Sequence, residues 1–374
     1  MSGPQEGRAA VSALFEPITL RSLTVPNRVW VSPMCMYSAA PEGPDTGAAT
    51  DFHLAHLGSR AAGGAGLVMV EATGVRPDGR ISPWDLGLWN DRQQEQLARV
   101  AALITQHGSV PAIQLAHAGR KASTNRPGKG GGPLPVEEGG WQVVGPSPIP
   151  FNEGYPVPAE LSEAQIAELV EDFAASARRA LAAGFKVVEV HGAHGYLTHQ
   201  FLSPVSNHRT DGYGGDFAGR SRFAREVAAA VRAVWPADLP VFFRVSATDW
   251  LPGEPSWTVE ESVLLAKELQ AVGVDLIDVS TGGNVPHAKI PVEPGYQVPF
   301  AETVRRESGL PVNAVGLITD AAQAEEIVAE GRADAVMLGR ELLRDPYWPL
   351  HAARELDVPR NWPAQYGYAV GSRG

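Results

Sequence analysis

The 374-residue sequence predicts a (β/α)8 barrel, in which eight parallel strands alternate with helices and close into a ring. The first observation is a recurrence of short, β-branched apolar segments, which are typical of strands buried on both faces. The second is that amphipathic segments separate most of them, as in a parallel sheet covered by helices. The third is their number, because eight such units are enough to close a barrel. Since such barrels often exceed about 250 residues, we expect residues 1–374 to form one domain.

The predicted strands are, in chain order, NRVWVSP, AGLVMVEA, PAIQLAH, FKVVEVHG, PVFFRVS, VDLIDVS, PVNAVG and ADAVMLG. The segments between them carry apolar residues at helical spacing, and one begins with a capping signature at Ser162 and Gln165. Residues 14–28 predict an N-terminal hairpin that plugs the barrel floor. Residues 121–160, rich in Gly and Pro, predict a long capping loop after the third strand. Residues 357–374 are the predicted C-terminal tail.

Composition narrows the classes of function. The formal net charge of −11 argues against non-specific nucleic-acid binding, which needs a basic surface. The single cysteine excludes a disulfide framework and fits a reducing compartment. No segment approaches the roughly 20 apolar residues of a membrane span, and the N-terminus lacks the apolar run of a signal peptide. These observations predict a cytoplasmic protein with small-molecule partners.

The fourth predicted strand ends in His191 and His194, followed by Tyr196, and barrels carry their chemistry at the C-terminal ends of strands. Residues three apart on a strand face opposite ways, so the histidines converge only if the strand breaks into a turn, which the nearby glycines favour. Two imidazoles could then donate hydrogen bonds to one ligand oxygen, and the tyrosine could deliver a proton. Two alternatives stay open: a zinc site that includes His199, and two satisfied polar residues in a loop.

Arg244 lies inside the apolar fifth strand, so its charge needs a partner. The partner is either a carboxylate inside the barrel, Glu189 or Asp278, or an anionic ligand above it. Gln114, at the end of the third strand, offers a donor and an acceptor to a planar heterocycle.

A phosphate site is predicted at the ends of the seventh and eighth strands. Gly316 and Gly339 each end one of these strands, and Arg340 follows directly, which matches the phosphate site common in such barrels. A phosphate there, with a ring system near Gln114, Arg244 and the first strand, describes bound flavin mononucleotide (FMN).

Four motifs, in order, resemble the old yellow enzymes, a family of FMN-dependent ene-reductases: SPMCMYS, QLAHAGRKA, HGAHGYLTHQFLSPVSNHRTDGYGG and RADAVMLGRELLRDP. The resemblance extends from about Phe15 to Trp348, nearly the whole chain. The cysteine in the first motif and the paired histidines are similar to the thermophilic-like bacterial subclass, which resembles xenobiotic reductases, rather than to the yeast-like one.

The resemblance implies FMN as cofactor, NADPH or NADH as hydride donor, and ping-pong reduction of the activated C=C bond of α,β-unsaturated carbonyl compounds. It implies that Cys35 tunes the flavin near its reactive edge, that His191 and His194 bind the substrate carbonyl oxygen, and that Tyr196 is the proton donor. The implied FMN contacts are Ser32, Pro33, Met34, Cys35, Ala72, Gln114, Arg244, Gly316, Gly339 and Arg340. The implied substrate-binding residues are Tyr37, His191, His194, Lys121 and Tyr368, with Lys121 near the pyrimidine and phosphate side of the flavin.

The C-terminal tail departs from the subclass. Many members extend an arginine near the C-terminus into a neighbouring subunit's active site, and the segment QYGYAV has Tyr368 at that position. Either Tyr368 or Trp362 takes this role by stacking, or the contact is absent; a homodimer or homotetramer is expected. Two other functions stay open, namely an FMN-dependent 2-hydroxy-acid oxidase and a non-catalytic flavin-binding barrel. A metal is not expected.

Overall fold

Eight parallel strands close into a barrel in the computed structural model, which describes residues 12–370. Each barrel strand pairs with the next one along the chain, and the last pairs with the first, where Met337 lies beside Trp30. The barrel strands are β3 (Val29–Val31), β4 (Leu67–Gly74), β5 (Val110–Ala116), β8 (Val187–Gly192), β9 (Val241–Ser246), β10 (Leu276–Ser280), β11 (Val312–Ala314) and β12 (Ala335–Leu338). All of their residues are buried, which explains why most of them are apolar. The predicted fold class is confirmed.

Helices surround the barrel and are capped by local sequence. At the start of the third helix, the Ser162 Oγ accepts the Gln165 N–H at 3.3 Å, while the Gln165 Oε1 accepts the Ser162 N–H at 2.9 Å, as the capping signature predicts. The helices are α1 (Asp51–Ala62), α2 (Asp91–Gln106), α3 (Glu163–Ala182), α4 (Leu197–Leu202), α5 (Phe217–Val234), α6 (Val259–Ala271), α7 (Val298–Ser308), α8 (Ala321–Ala329), α9 (Arg340–Arg344), α10 (Trp348–Glu355) and α11 (Gly367–Val370). Within residues 12–370, each helix is too short or too polar to cross a bilayer.

The N-terminal hairpin closes the floor of the barrel. Its strands β1 (Ile18–Leu20) and β2 (Leu23–Val25) pair antiparallel. The buried Leu20 and Val25 pack into one cluster with inward-facing residues from the first halves of the barrel strands, including Trp30 and Phe242, whose rings stack at 5.8 Å. The hairpin therefore acts as the predicted plug, and the other end of the barrel carries the long loops.

The capping loop after β5 is folded. It contains short helical turns at Pro127–Lys129 and Val136–Glu138, and a two-stranded parallel sheet of β6 (Val144–Gly145) and β7 (Ala159–Glu160) that the sequence did not predict. The buried Arg209 ties the loop down, since its guanidinium donates to the carbonyl of Pro146 at 3.1 Å and to that of Leu161 at 2.6 Å. The loop is thereby fixed to the segment that follows α4.

Candidate active site

The fourth barrel strand ends at Gly192, and residues 193–196 form a turn before α4 begins. His194 has a φ of 58°, rare for a side-chain-bearing residue, and Gly195 has a φ of 71°. A Cβ at Gly195 would lie 2.2 Å from the carbonyl oxygen of Gly283, so only glycine fits there. The turn brings the rings of His191 and His194 to 5.3 Å between centroids and places the Tyr196 ring 5.1 Å from His191. The structure thus assembles the three side chains that the sequence singled out.

Two serines at neighbouring strand ends hold His194. The backbone N–H of His194 donates to the Ser246 Oγ at 2.9 Å, and its Nε2 lies 2.7 Å from the Ser280 Oγ. Ser246 and Ser280 are the last residues of β9 and β10. Neither serine was predicted as a site residue, although both lie at the strand ends where such barrels carry their chemistry.

A buried histidine–aspartate pair supports the turn from the other side. The Gly195 N–H donates to the Nδ1 of His199 at 2.9 Å, which leaves the ring proton on Nε2, 2.9 Å from the Asp249 Oδ1. The Asp249 Oδ2 accepts from the Ser203 hydroxyl at 2.6 Å and from the Trp257 N–H at 3.0 Å. Burial alone would raise the pKa of Asp249, but His199 and these donors hold it below its ordinary value.

The ring nitrogens of His199 contact Gly195 and Asp249, and this arrangement does not support the alternative of a zinc site that includes His199. In the part of the chain that the structure describes, no group of three or more His, Cys, Asp or Glu side chains is placed to hold a metal ion.

Burial controls the protonation of the paired histidines. It lowers the pKa values of His191 and His194 well below their ordinary range, and the charge of Arg244 acts in the same direction. Both rings are therefore neutral at pH 7, and each keeps one N–H. The Ala193 N–H points to the Nδ1 of His191 at 3.4 Å, which leaves the His191 proton on Nε2.

Lys121 lies against Tyr196. Its Nζ donates to the carbonyls of His194 and Gly283, both at 2.8 Å, and is 5.0 Å from the centre of the Tyr196 ring. Burial, aided by Arg120, lowers the pKa of Lys121 to about 7. Burial also raises the pKa of Tyr196 well above its ordinary value, so its phenol is protonated at neutral pH. Lys121 does not line the cavity of Gly316, Gly339 and Arg340, where the phosphate side was expected.

Arg244 has the interior ion pair that the sequence left as one alternative. Its Nε lies 2.8 Å from the Asp278 Oδ2, and its Nη2 donates to the Ser32 Oγ at 3.2 Å. The Gln114 amide donates to the Glu189 Oε1 at 2.8 Å. The arginine therefore joins a buried carboxylate to the end of the first barrel strand.

The segment after the first barrel strand contains the only cysteine of the chain. Burial raises the pKa of the Cys35 thiol well above its ordinary value, and the nearby Asp85 and Glu71 add to this effect, so the group is a thiol at neutral pH. The next N–H, of Met36, donates to the Glu71 Oε1 at 3.1 Å. Tyr37 follows with a φ of 51°, and burial raises its pKa as well.

A cavity of about 340 Å³ lies at the ends of β11 and β12. Its lining includes Met34, Cys35, Gly316, Gly339 and Arg340. A Cβ at Gly316 would come within 2.7 Å of the Gln297 Nε2, whereas at Gly339 the nearest atom would be the Met34 Sδ at 3.7 Å. Two glycines beside an arginine leave the backbone open to a dianion.

These residues fit FMN. Arg340, Gly316 and Gly339 would hold its phosphate, while Ser32, Gln114 and Arg244 offer the donors and the charge that its ring requires. Met34 and Cys35 line the same cavity, and Pro33 joins them to Ser32. The buried Ala72 lines a smaller cleft beside Tyr196.

The C-terminal tail stays apart from this site in its own chain. Tyr368 is 93% exposed, and Trp362 stacks on Tyr347 with ring centroids 5.7 Å apart. A role for Tyr368 in a neighbouring active site stays a prediction.

Fold and site together define a class of protein, the barrel oxidoreductases that use a flavin. Residues 13–358 match the NADH:flavin oxidoreductase / NADH oxidase family, and the chain belongs to this family of FMN-dependent enzymes. An NADPH dehydrogenase of Geobacillus thermodenitrificans (strain NG80-2) is 50% identical over 355 residues, which cover 95% of this chain and 98% of that protein. The resemblance to old yellow enzymes and the FMN prediction are confirmed.

Solved structures agree with this assignment. Morphinone reductase is 28% identical with a TM-score of 0.76, and the match covers 95% of this chain and 92% of that one. A 2-naphthoyl-CoA reductase complex has a TM-score of 0.81 at 27% identity and covers 92% of this chain. The present chain spans only 52% of that larger protein.

Proposed function

We propose that the chain is an NADPH-dependent ene-reductase, which reduces the activated C=C bond of α,β-unsaturated carbonyl compounds in a ping-pong sequence. The observation that carries the proposal is the convergence of two neutral imidazoles and a protonated phenol at one strand end, where the His191 ring centroid lies 5.3 Å from that of His194 and 5.1 Å from that of Tyr196. Relatives named NADPH dehydrogenase support the choice of hydride donor. When bound, FMN accepts hydride from the nicotinamide and passes it to the β-carbon of the alkene.

In this proposal, His191 and His194 donate hydrogen bonds to the carbonyl oxygen of the substrate. The oxygen gains negative charge as hydride arrives, so these bonds strengthen in the transition state. The buried Ser246 and the nearby Ser280 hold His194 in place, and the rings need no reorganisation when charge develops.

Tyr196 then gives its phenolic proton to the α-carbon. Its raised pKa keeps the proton on the phenol until the substrate becomes basic enough to take it. In its protonated form, which its pKa of about 7 keeps available at neutral pH, Lys121 stabilises the phenolate that remains, since its Nζ lies 5.0 Å from the ring centre.

The histidines are tested with the His191→Ala/His194→Ala variant. We expect FMN absorbance to bleach with NADPH as in the wild type, and the recovery of colour on adding 2-cyclohexenone to slow by at least ~100-fold, the loss typical of one oxyanion donor. His351→Ala is the matched control, since His351 is an exposed residue paired with Asp345. Wild-type recovery in the double variant would refute the assignment.

The tyrosine is tested with Tyr196→Phe, followed in the two half-reactions separately. Bleaching by NADPH should persist, while recovery with the enone slows. Tyr213→Phe is the control, because the Tyr213 hydroxyl donates to Glu226 and belongs to a different aromatic cluster. Equal damage to both half-reactions would contradict a proton-donor role.

The same experiment separates the two other functions. If a 2-hydroxy acid bleaches the flavin and NADPH does not, the protein is an oxidase. A flavin that neither reagent bleaches would indicate a binding barrel without this activity.

A further inference from the structure

Five polar side chains from five adjacent barrel strands form a layer inside the barrel, which we call the polar belt: Gln114, Glu189, Arg244, Asp278 and Asn313. Each is at most 4% exposed. Strand register places Gln114 opposite Glu189, and Asp278 between Arg244 and Asn313. Burying so many polar groups inside a barrel is costly, so their arrangement calls for a physical explanation.

The charges of the belt do not balance. Glu189 and Asp278 supply two carboxylates, whereas Arg244 is its only cation, and Gln114 and Asn313 carry no charge. The titratable group facing Arg244 from the next strand is His191, which is neutral. A net negative charge buried in the barrel core is strongly unfavourable, and one proton on either carboxylate removes it.

The position of Arg244 favours a proton on Glu189 over one on Asp278. Asp278 has its Oδ2 2.8 Å from the Arg244 Nε, an arrangement that favours the ionised form. Glu189 accepts one hydrogen bond, from Gln114, and neither its Oε2 nor either Asp278 oxygen has a hydrogen-bond partner among residues 12–370, so the position of Arg244 beside Asp278 is what separates the two carboxylates. Burial raises the pKa of Glu189 well above its ordinary value, and the charge of Asp278 raises it further. Burial raises the pKa of Asp278 to about 6, with Arg244 acting in the opposite direction.

We propose that Glu189 holds this proton and that Asp278 is a positioning residue, which sets how much of the Arg244 charge acts on FMN. Arg244 reaches Ser32, at the end of the first barrel strand, with one nitrogen and Asp278 with another. Electrons added to the cofactor bring negative charge that Arg244 stabilises. Ionised Asp278 offsets part of that stabilisation and therefore lowers the midpoint potential of FMN.

The first test is the midpoint potential of FMN in the holoenzyme, titrated against a reference dye without oxygen. Asp278→Asn should raise the midpoint potential by about 30 mV or more. For a two-electron couple, this corresponds to a change of at least tenfold in the redox equilibrium constant. Asp275→Asn is the matched control, because Asp275 directly precedes β10 and pairs with Arg21 and Arg232 at the opposite end of the barrel. Its potential should equal that of the wild type.

The second test locates the proton. Glu189→Gln replaces a protonated acid by an amide of the same shape, so the potential at pH 7 should stay unchanged. The infrared C=O band of a buried carboxylic acid, present in the wild type with or without FMN, should disappear. A persistent band, or a potential that moves as much as in Asp278→Asn, would place the proton elsewhere and overturn this half of the proposal.

A third measurement needs no variant and protects the test if Asp278→Asn fails to fold. Negative charge added to FMN favours protonation of Asp278, so reduction takes up an extra proton at pH values just above the Asp278 pKa of about 6. As the pH falls towards 6, the wild-type potential should therefore rise more steeply than the potential of free FMN over the same range, and below pH 6 this extra slope should disappear. A plot without this bend, or an Asp278→Asn potential that is unchanged or lower, would overturn the role of Asp278.

Discussion

Replacing Asp249 by asparagine removes the support of the 193–196 turn while keeping the shape of the side chain. Asp249 accepts hydrogen bonds from the Ser203 hydroxyl and the Trp257 N–H, and its Oδ1 lies 2.9 Å from a third donor group, the protonated Nε2 of His199. An amide has one acceptor oxygen and brings an NH₂ donor of its own, so one of the three donors must lose its partner. If His199 moves its proton to Nδ1 instead, it no longer accepts from Gly195.

The magnitude follows from these contacts. A hydrogen bond to a charged group contributes about 1.5–3 kcal/mol, and a buried donor left unpaired costs about 1–3 kcal/mol. We expect Asp249→Asn to lower the free energy of unfolding by about 3 kcal/mol, at the lower end of the range for a broken buried pair. The pKa of Asp249 is depressed in the folded state, so its contribution is complete above the unfolded pKa of about 3.9 and is lost as the pH falls through the folded value.

Urea unfolding at pH 7 measures this loss, and turnover of NADPH with an enone measures the effect on the turn. The matched control is Asp216→Asn, since Asp216 is an exposed helix cap that accepts the Gly219 N–H at 3.0 Å, and asparagine caps equally well. The reasoning fails if Asp249→Asn unfolds within about 0.5 kcal/mol of that control, the range of an ordinary surface substitution.

Three further outcomes are expected. Gly195→Ala should lower the free energy of unfolding in urea by more than about 2 kcal/mol and slow enone reduction. The reason is that the added Cβ would lie 2.2 Å from the Gly283 oxygen at a φ of 71°; a variant as stable as the wild type would contradict this. Ser162→Ala should lower the free energy of unfolding by about 1 kcal/mol, because the N-terminal cap of α3 is lost, and turnover should not change. A loss of turnover would contradict a purely structural role for this cap. The pKa of Lys121 is about 7 in the folded protein and roughly 10.4 in the unfolded chain. Between these pH values the unfolded chain binds more protons than the folded protein, so the free energy of unfolding rises with pH in this window. Lys121→Met should lack this slope in unfolding curves measured across that window, and parallel curves would refute the assignment.

The barrel was predictable because its strands are buried on both faces. Each predicted segment overlaps an observed barrel strand, and even the three-residue β11 lies within PVNAVG, although β4 runs two residues past its predicted segment and β5 begins one residue before it. The ends of the strands were not predictable, since they depend on where each strand finds a partner. The small β6–β7 sheet was not predicted because it also depends on a distant partner. Arg209 holds this loop by donating to two of its carbonyls, 63 and 48 residues earlier in the sequence.

The site divides in the same way. His191, His194 and Tyr196 follow one strand closely, so a rule based on strand ends finds them. The partnership of His199 with Asp249 joins residues 50 positions apart and leaves no local pattern. The pairing of Arg244 with a carboxylate was foreseeable, because a buried charge needs a partner, but only the structure decides between Glu189 and Asp278.

Arg244 connects the polar belt to the proposed chemistry. Its charge helps to keep His191 and His194 neutral, and a neutral imidazole donates a hydrogen bond without releasing its proton. The proton that completes reduction of the alkene must then come from another group. In the proposed reaction that group is Tyr196, whose raised pKa prevents an early loss of the proton. The arginine that favours electrons on FMN therefore also makes a separate proton donor necessary.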